Sequence, residues 1–72
     1  MRQYRDKQGR ILFVTDGISR GNVWFTGYRR PNGSIKRLAV AALPIRDTRE
    51  EAQRDLDKYA REKRLEVITD GT

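Results

Sequence analysis

Asn22-Val23-Trp24-Phe25-Thr26-Gly27-Tyr28-Arg29-Arg30-Pro31-Asn32-Gly33-Ser34-Ile35-Lys36-Arg37-Leu38-Ala39-Val40-Ala41-Ala42-Leu43 reads as one β-hairpin. Trp24 to Arg29 is a strand of aromatic and β-branched residues. Arg30 to Ser34 is the turn, and Ile35 to Leu43 is the return strand. Pro31 presets φ for the first central turn position, Asn32 tolerates the second, and Gly33 can take the positive φ that closes the bend. Strand alternation then divides the side chains between two faces. Val23, Phe25, Leu38 and Val40 are the expected buried set, with Gly27 and Ala42 letting a helix backbone approach. That leaves Trp24, Tyr28 and Arg37 on the open face, beside Ile11 or Phe13. A bulge would reverse the assignment.

Upstream, Arg10 to Thr15 concentrates Ile, Val, Thr and Phe and reads as a strand, stopped by Asp16-Gly17 and restarted at Gly21-Asn22. Met1 to Arg5 is either a short strand or an extended tail, with a turn at Asp6 to Gly9. Tyr4-Arg5, Gly9 and Ile11 repeat the spacing of Tyr28-Arg29, Gly33 and Ile35. Two hairpins obeying one turn grammar explain the echo without a duplicated unit. In that case the N-terminus forms a hairpin.

Downstream, Pro44 ends the sheet and Asp47-Thr48-Arg49-Glu50-Glu51 begins a helix. Thr48 and Glu51 have capping-box spacing, and both glutamates suit the positive end of the helix dipole. Ala52, Leu56, Tyr59, Ala60 and the stem of Lys63 form a narrow apolar stripe. Glu50–Arg54 and Asp57–Arg61 are acid-first i,i+4 pairs worth about 0.3 kcal/mol each. Leu65 to Thr69 is either a last strand or an extended clip over the core. The expected fold is α+β: a three-stranded antiparallel sheet packed on one C-terminal amphipathic helix, β-β-β-α, with room for a short extra strand at 65–69. It is a single domain with its core over residues 10–68, and residues 1–5 and 70–72 are expected to be flexible.

Seventy-two residues bound the chemistry. A chain this short buries roughly 60% of its unfolded surface, which predicts modest stability. Without cysteine there is no disulfide, thiolate nucleophile or Cys-based zinc site, and without histidine there is no imidazole acid–base chemistry. No apolar run approaches the ~20 residues of a membrane span, and Met1-Arg2-Gln3-Tyr4 lacks an apolar signal core. The expectation is a soluble, cytoplasmic chain. Glu50-Glu51 and Asp55 with Asp57 already have cap and ion-pair explanations, so neither a catalytic carboxylate pair nor a metal site is read from them. The glycines form no phosphate-binding loop. The chain reads as no enzyme, with no cofactor and no small-molecule substrate.

The charge of +6 is uneven: residues 1–46 carry ten basic and two acidic residues, and residues 47–72 carry six basic and eight acidic. Twelve of the sixteen basic residues are arginine, which forks onto phosphate and guanine edges. A one-sided polyanion surface fits this distribution, and so does a solubilising charge on a small domain. Flat aromatics stack or wedge while arginines grip phosphates. Trp, Tyr and Arg are also the residues of protein-interface hot spots, and a second small core would use the same aromatics.

From Trp24 to Lys63 the order of motifs resembles a known family. Trp24-Phe25-Thr26-Gly27-Tyr28-Arg29, a glycine turn, a strand, and Asp47-Thr48-Arg49-Glu50-Glu51-Ala52, with Asp57 and Ala60 later, looks like the plant ethylene-response-factor type of DNA-binding domain. It is similar, too, to the N-terminal domains of phage and conjugative-transposon integrases that bind arm-type DNA sites. The resemblance covers about half the chain. It implies three strands and a helix, with the sheet laid in the major groove and its arginines and tryptophans on bases and phosphates. Trp24 matches the tryptophan that begins the second strand and Arg29 the arginine that ends it, while Thr48, Glu51 and Ala52 match the helix start. The chain departs where Ala42-Leu43-Pro44 replaces an aromatic and a glycine, and where Lys36-Arg37 lies nearer the turn.

Together these readings predict a double-stranded-DNA-binding domain of phage or mobile-element type. Trp24, Tyr28, Arg29, Arg30, Lys36 and Arg37 are the expected contacts, with Arg10 and Arg20 at the rim. Arg29 and Arg37 are assigned to base edges, Arg20, Arg30 and Lys36 to phosphates, and Trp24 and Tyr28 to sugars or base methyls. The alternative is a protein-interaction module using the same face.

Overall fold

The computed structural model describes residues 2–69. Two hairpins of one design organise the sheet. In the first, β1 (Gln3–Arg5) turns into β2 (Ile11–Thr15); in the second, β3 (Phe25–Arg29) turns into β4 (Ile35–Arg37). Arg5 faces Ile11 across the first and Arg29 faces Ile35 across the second. Each loop is closed by the same two bonds. The N–H of Asp6 donates to Arg10 O at 2.9 Å and that of Gly9 to Asp6 O at 3.0 Å; Arg30 N–H donates to Ser34 O at 2.7 Å and Gly33 N–H to Arg30 O at 2.8 Å. Gly9 and Gly33 take φ of 84° and 89°, the left-handed position this turn reserves for glycine. The spacing echo in the sequence is therefore two copies of one turn geometry.

The helix α1 (Arg49–Lys63) and a last strand β5 (Glu66–Thr69) follow, and the sheet order among the described residues is β4-β3-β2-β1-β5, antiparallel throughout. The expectation of three strands is corrected to five. Gln3–Arg5, expected as flexible chain, lies between β2 and β5, and its Tyr4 is only 4% exposed. Residues 65–69 do supply a strand; it pairs with β1, with a bulge between Gln3 and Tyr4. The expectation for residues 70–72 falls outside the described residues.

The helix lies across β2 and β3. Thr48 caps it: the hydroxyl accepts from Glu51 N–H at 3.2 Å and donates to Glu51 Oε1 at 2.9 Å. The capping box thus closes on the hydroxyl. At the other end Arg64 adopts the left-handed conformation, and its N–H and that of Leu65 satisfy the terminal carbonyls. Ala52, Leu56 and Ala60 are buried against Tyr4, Leu12, Val14, Leu38 and Leu43, with Trp24, Tyr28, Val40 and Tyr59 packed around them. The expected Glu50–Arg54 and Asp57–Arg61 pairs are not formed. Asp57 accepts instead from Tyr4 Oη at 2.7 Å and Gln53 Nε2 at 2.9 Å, and Asp55 holds Arg46 through two bonds of 2.7 and 3.2 Å.

The face assignment of β3 is reversed. Register pairs Leu12 with Tyr28 and Val14 with Thr26, so Trp24, Thr26 and Tyr28 point to the helix and Phe25 and Gly27 to the open face. The return strand is also shorter than expected. Pairing stops at Arg37, Leu38 N–H makes one more bond to Thr26 O at 3.0 Å, and the chain then folds inward through Leu43. It returns to the sheet at Arg46, which exchanges both backbone bonds with Trp24.

Candidate nucleic-acid interface

The open face is built by three strands in register. Phe13, Gly27 and Arg37 form one row across β2, β3 and β4; Thr15 and Phe25 are paired in the next; Arg29 and Ile35 are paired on the other side. Arg5 joins from β1, opposite Ile11. Every side chain in this group is half-buried or exposed. Gly27 leaves room for its neighbours: a Cβ there would sit 3.0 Å from the Lys36 carbonyl oxygen, 3.2 Å from Ile35 Cγ2 and 3.5 Å from the Phe25 ring. The face is thus a checkerboard of arginine and apolar side chains.

Three of the residues expected as contacts have structural posts on the helix side. Tyr28 packs on the core and carries the Arg10 guanidinium over its ring, 4.8 Å from the centroid. Arg10 is further held by Asp6, Nε to Oδ2 at 2.7 Å, and this bond raises its pKa. Burial would raise the Asp6 carboxyl, but the N–H groups of Arg10 and Gln8 and the Arg10 guanidinium outweigh it and hold that pKa below the usual value. Trp24 is packed between the core and the helix N-terminus, with the Arg49 guanidinium 5.8 Å from its ring centroid. The expectation that Trp24 and Tyr28 stand on the open face is corrected. The cause is β3 register, because Leu12 and Val14 need partners on the helix side and Tyr28 and Thr26 are the residues opposite them.

The other five keep surface positions. Arg29 and Arg37 stand on the open face; Arg30 is in the hairpin turn, Arg20 in the β2–β3 loop, and Lys36 is exposed on the helix side of edge strand β4. Among the described residues none of these five has a carboxylate partner. Arg29 donates from Nη1 to Gly33 O at 3.3 Å, and Arg37 Nε is buried without a partner. Sequence reasoning missed Arg5 and Phe25 as members of the face; Phe13, which it offered there as an alternative to Ile11, does stand on it. The echo was the signal for Arg5, since it stands in the first hairpin where Arg29 stands in the second. Arg5 is partly neutralised by Glu66 at 3.1 Å. The carboxylates of Asp47, Glu50, Glu51, Asp55, Asp57 and Glu62 all belong to the helix or its approach, on the opposite layer.

Among the described residues no helix is long and apolar enough to cross a membrane, and no three His, Cys, Asp or Glu residues gather as metal ligands. Comparison with protein-family models, curated proteins and solved structures finds no match.

Proposed function

We propose that the chain binds double-stranded DNA through the open face of its sheet. The observation that carries this reading is that Arg5, Arg29 and Arg37 share a sheet face without a helix over it, while six of the ten carboxylates lie, among seven cations, in the helical layer behind. Among the described residues Arg29 and Arg37 have no carboxylate partner, so their charge is available to a polyanion in a chain of net charge +6. Twisted strands enter a major groove, and arginines standing on them meet base edges. Arg37 and Arg29 are the base-facing candidates. Arg30 and Arg20, on loops at the margin, suit phosphates. Phe13 and Phe25 replace Trp24 and Tyr28 as the apolar groups for sugars and thymine methyls.

Mutation separates these roles. Arg30→Ala is expected to weaken binding about equally on all sequences and to reduce the salt slope by about 1. Arg37→Ala is expected to relax base preference, costing about 1–3 kcal/mol on the preferred site and less elsewhere. Equal losses from both variants on every sequence, measured by fluorescence anisotropy over a salt series, would contradict the division.

A second reading has its own support. Phe13, Phe25 and a 41%-exposed Ile35 give the face apolar content that a protein partner can use, beside an edge strand with one side unpaired. Salt separates the two readings, because phosphate contacts release counterions and protein contacts largely do not.

A further inference from the structure

The β2–β3 loop holds an isoleucine fully in water. Ile18 is 99% exposed, in a chain whose mean hydropathy is −0.87. The loop around it is braced. Gly17 N–H donates to Thr15 Oγ1 at 3.0 Å, and Ser19 N–H to Asp16 O at 2.9 Å. The Ser19 hydroxyl donates to Val23 O at 3.0 Å and accepts from Val23 N–H at 3.2 Å. Gly17, Arg20 and Gly21 all take positive φ, at 58°, 59° and 88°. For Arg20 this conformation is unfavourable, so the loop's shape is held by its hydrogen bonds.

The loop stands at the margin of the arginine face. Ile18 lines a cleft of about 650 Å³ with Val23, Phe25 and Ile35, and Phe25 and Ile35 belong to that face. Asp16 and Arg20 are the loop's only charges, one of each sign, so it adds no net attraction for a polyanion. What it adds is one branched apolar side chain, presented by a braced backbone across a cleft from Ile35, the strand partner of Arg29.

Isoleucine is one of the side chains that wedge between stacked bases from the minor groove and kink the duplex. A wedge works only where neighbouring cations hold the DNA against it, and the arginines of the face meet that need. We infer that Ile18 is a wedge, inserted at a base step next to the groove occupied by the sheet, and that the protein bends the DNA it binds. This rests on the reading of the sheet face as a DNA surface. Burial of Ile18 and the added contacts of bent DNA offset the unstacking, and flexible pyrimidine–purine steps are the preferred points of insertion.

The test uses the full chain and a mixed-sequence duplex of about 20 bp, labelled at its ends for energy transfer. A short duplex with 2-aminopurine at a central TA step reports unstacking. Wild-type protein is expected to raise transfer efficiency and 2-aminopurine fluorescence together. Ile18→Ala leaves the fold intact, since the side chain makes no core contact. It is expected to keep the salt slope, lose affinity about tenfold, and abolish both signals. Wild-type binding that leaves the duplex straight and stacked, or Ile18→Ala bending it equally, overturns the wedge and leaves the sheet-face reading standing. Absence of wild-type binding at low salt overturns both.

Discussion

Tyr4 ties the N-terminal strand to the helix. Its hydroxyl donates to Asp57 Oδ1 at 2.7 Å, which also accepts from Gln53 at 2.9 Å. Burial first, then the bond to Asp57, raises the phenol pKa above its ordinary 10.0. The folded state therefore favours the protonated phenol. Its stabilising contribution is complete below the unfolded pKa and is lost as pH rises through the higher folded value. Tyr4→Phe is expected to cost about 1 kcal/mol at neutral pH, because it removes a charge-assisted bond to the half-buried Asp57 carboxylate. It should also flatten the alkaline limb of the stability curve above pH 10. Urea unfolding of both proteins from pH 7 to 11 tests this, and parallel curves would contradict it. Some cations are already engaged, as Arg10 is on Asp6 and Arg46 on Asp55, whereas Arg29 and Arg37 have no carboxylate partner among the described residues.

Among the elements, β1 carries more than its three residues imply. It pairs on both sides and places Tyr4 against the helix. Truncating a large buried aromatic costs about 3–5 kcal/mol, against a total near the low end of the roughly 5–15 kcal/mol usual for small domains. Deletion of residues 2–5 removes that side chain and both pairings of the strand, so the shortened chain is expected to show no cooperative thermal transition by circular dichroism. A transition within a few degrees of the full chain would contradict the place given to β1. The strand was legible in the spacing shared by Tyr4-Arg5, Gly9 and Ile11 with the second hairpin. The face of β3 was legible too. A loop over 30–34 puts Arg29 opposite Ile35, hence Thr26 opposite Leu38, and Phe25 cannot then share a face with Leu38. The helix was read from its cap and stripe because those signals are local. The run Leu38 to Leu43 was not readable as coil, since a short apolar run looks alike in a strand and in a core plug. Pairing of β5 with β1 is set by packing between chain ends and leaves no local pattern.

At the scale of the molecule, carboxylates concentrate in one layer while cations stand in both. The helix and its approach hold six of the ten carboxylates and use Asp55 and Asp57 in cross-element bonds. The sheet presents arginine and apolar side chains to the other side. The uneven charge was visible in the sequence as a basic front half and a balanced, slightly acidic rear. Which side chains occupy the basic face followed only from register. Phe25 and Arg5 entered, while Trp24, Tyr28 and Arg10 left for the helix side.

Arginine side-chain Nε–Hε signals distinguish the two layers directly, because each reports one guanidinium. They should be followed by NMR during titration with a mixed-sequence DNA duplex at low and moderate salt. The expected result is shifts at Arg29, Arg37 and Arg5, weakening steeply with salt, with Arg46 and Arg10 unmoved. Shifts confined to Arg46, Arg49 and the helix, or no shifts at low salt, would contradict binding through the open face of the sheet.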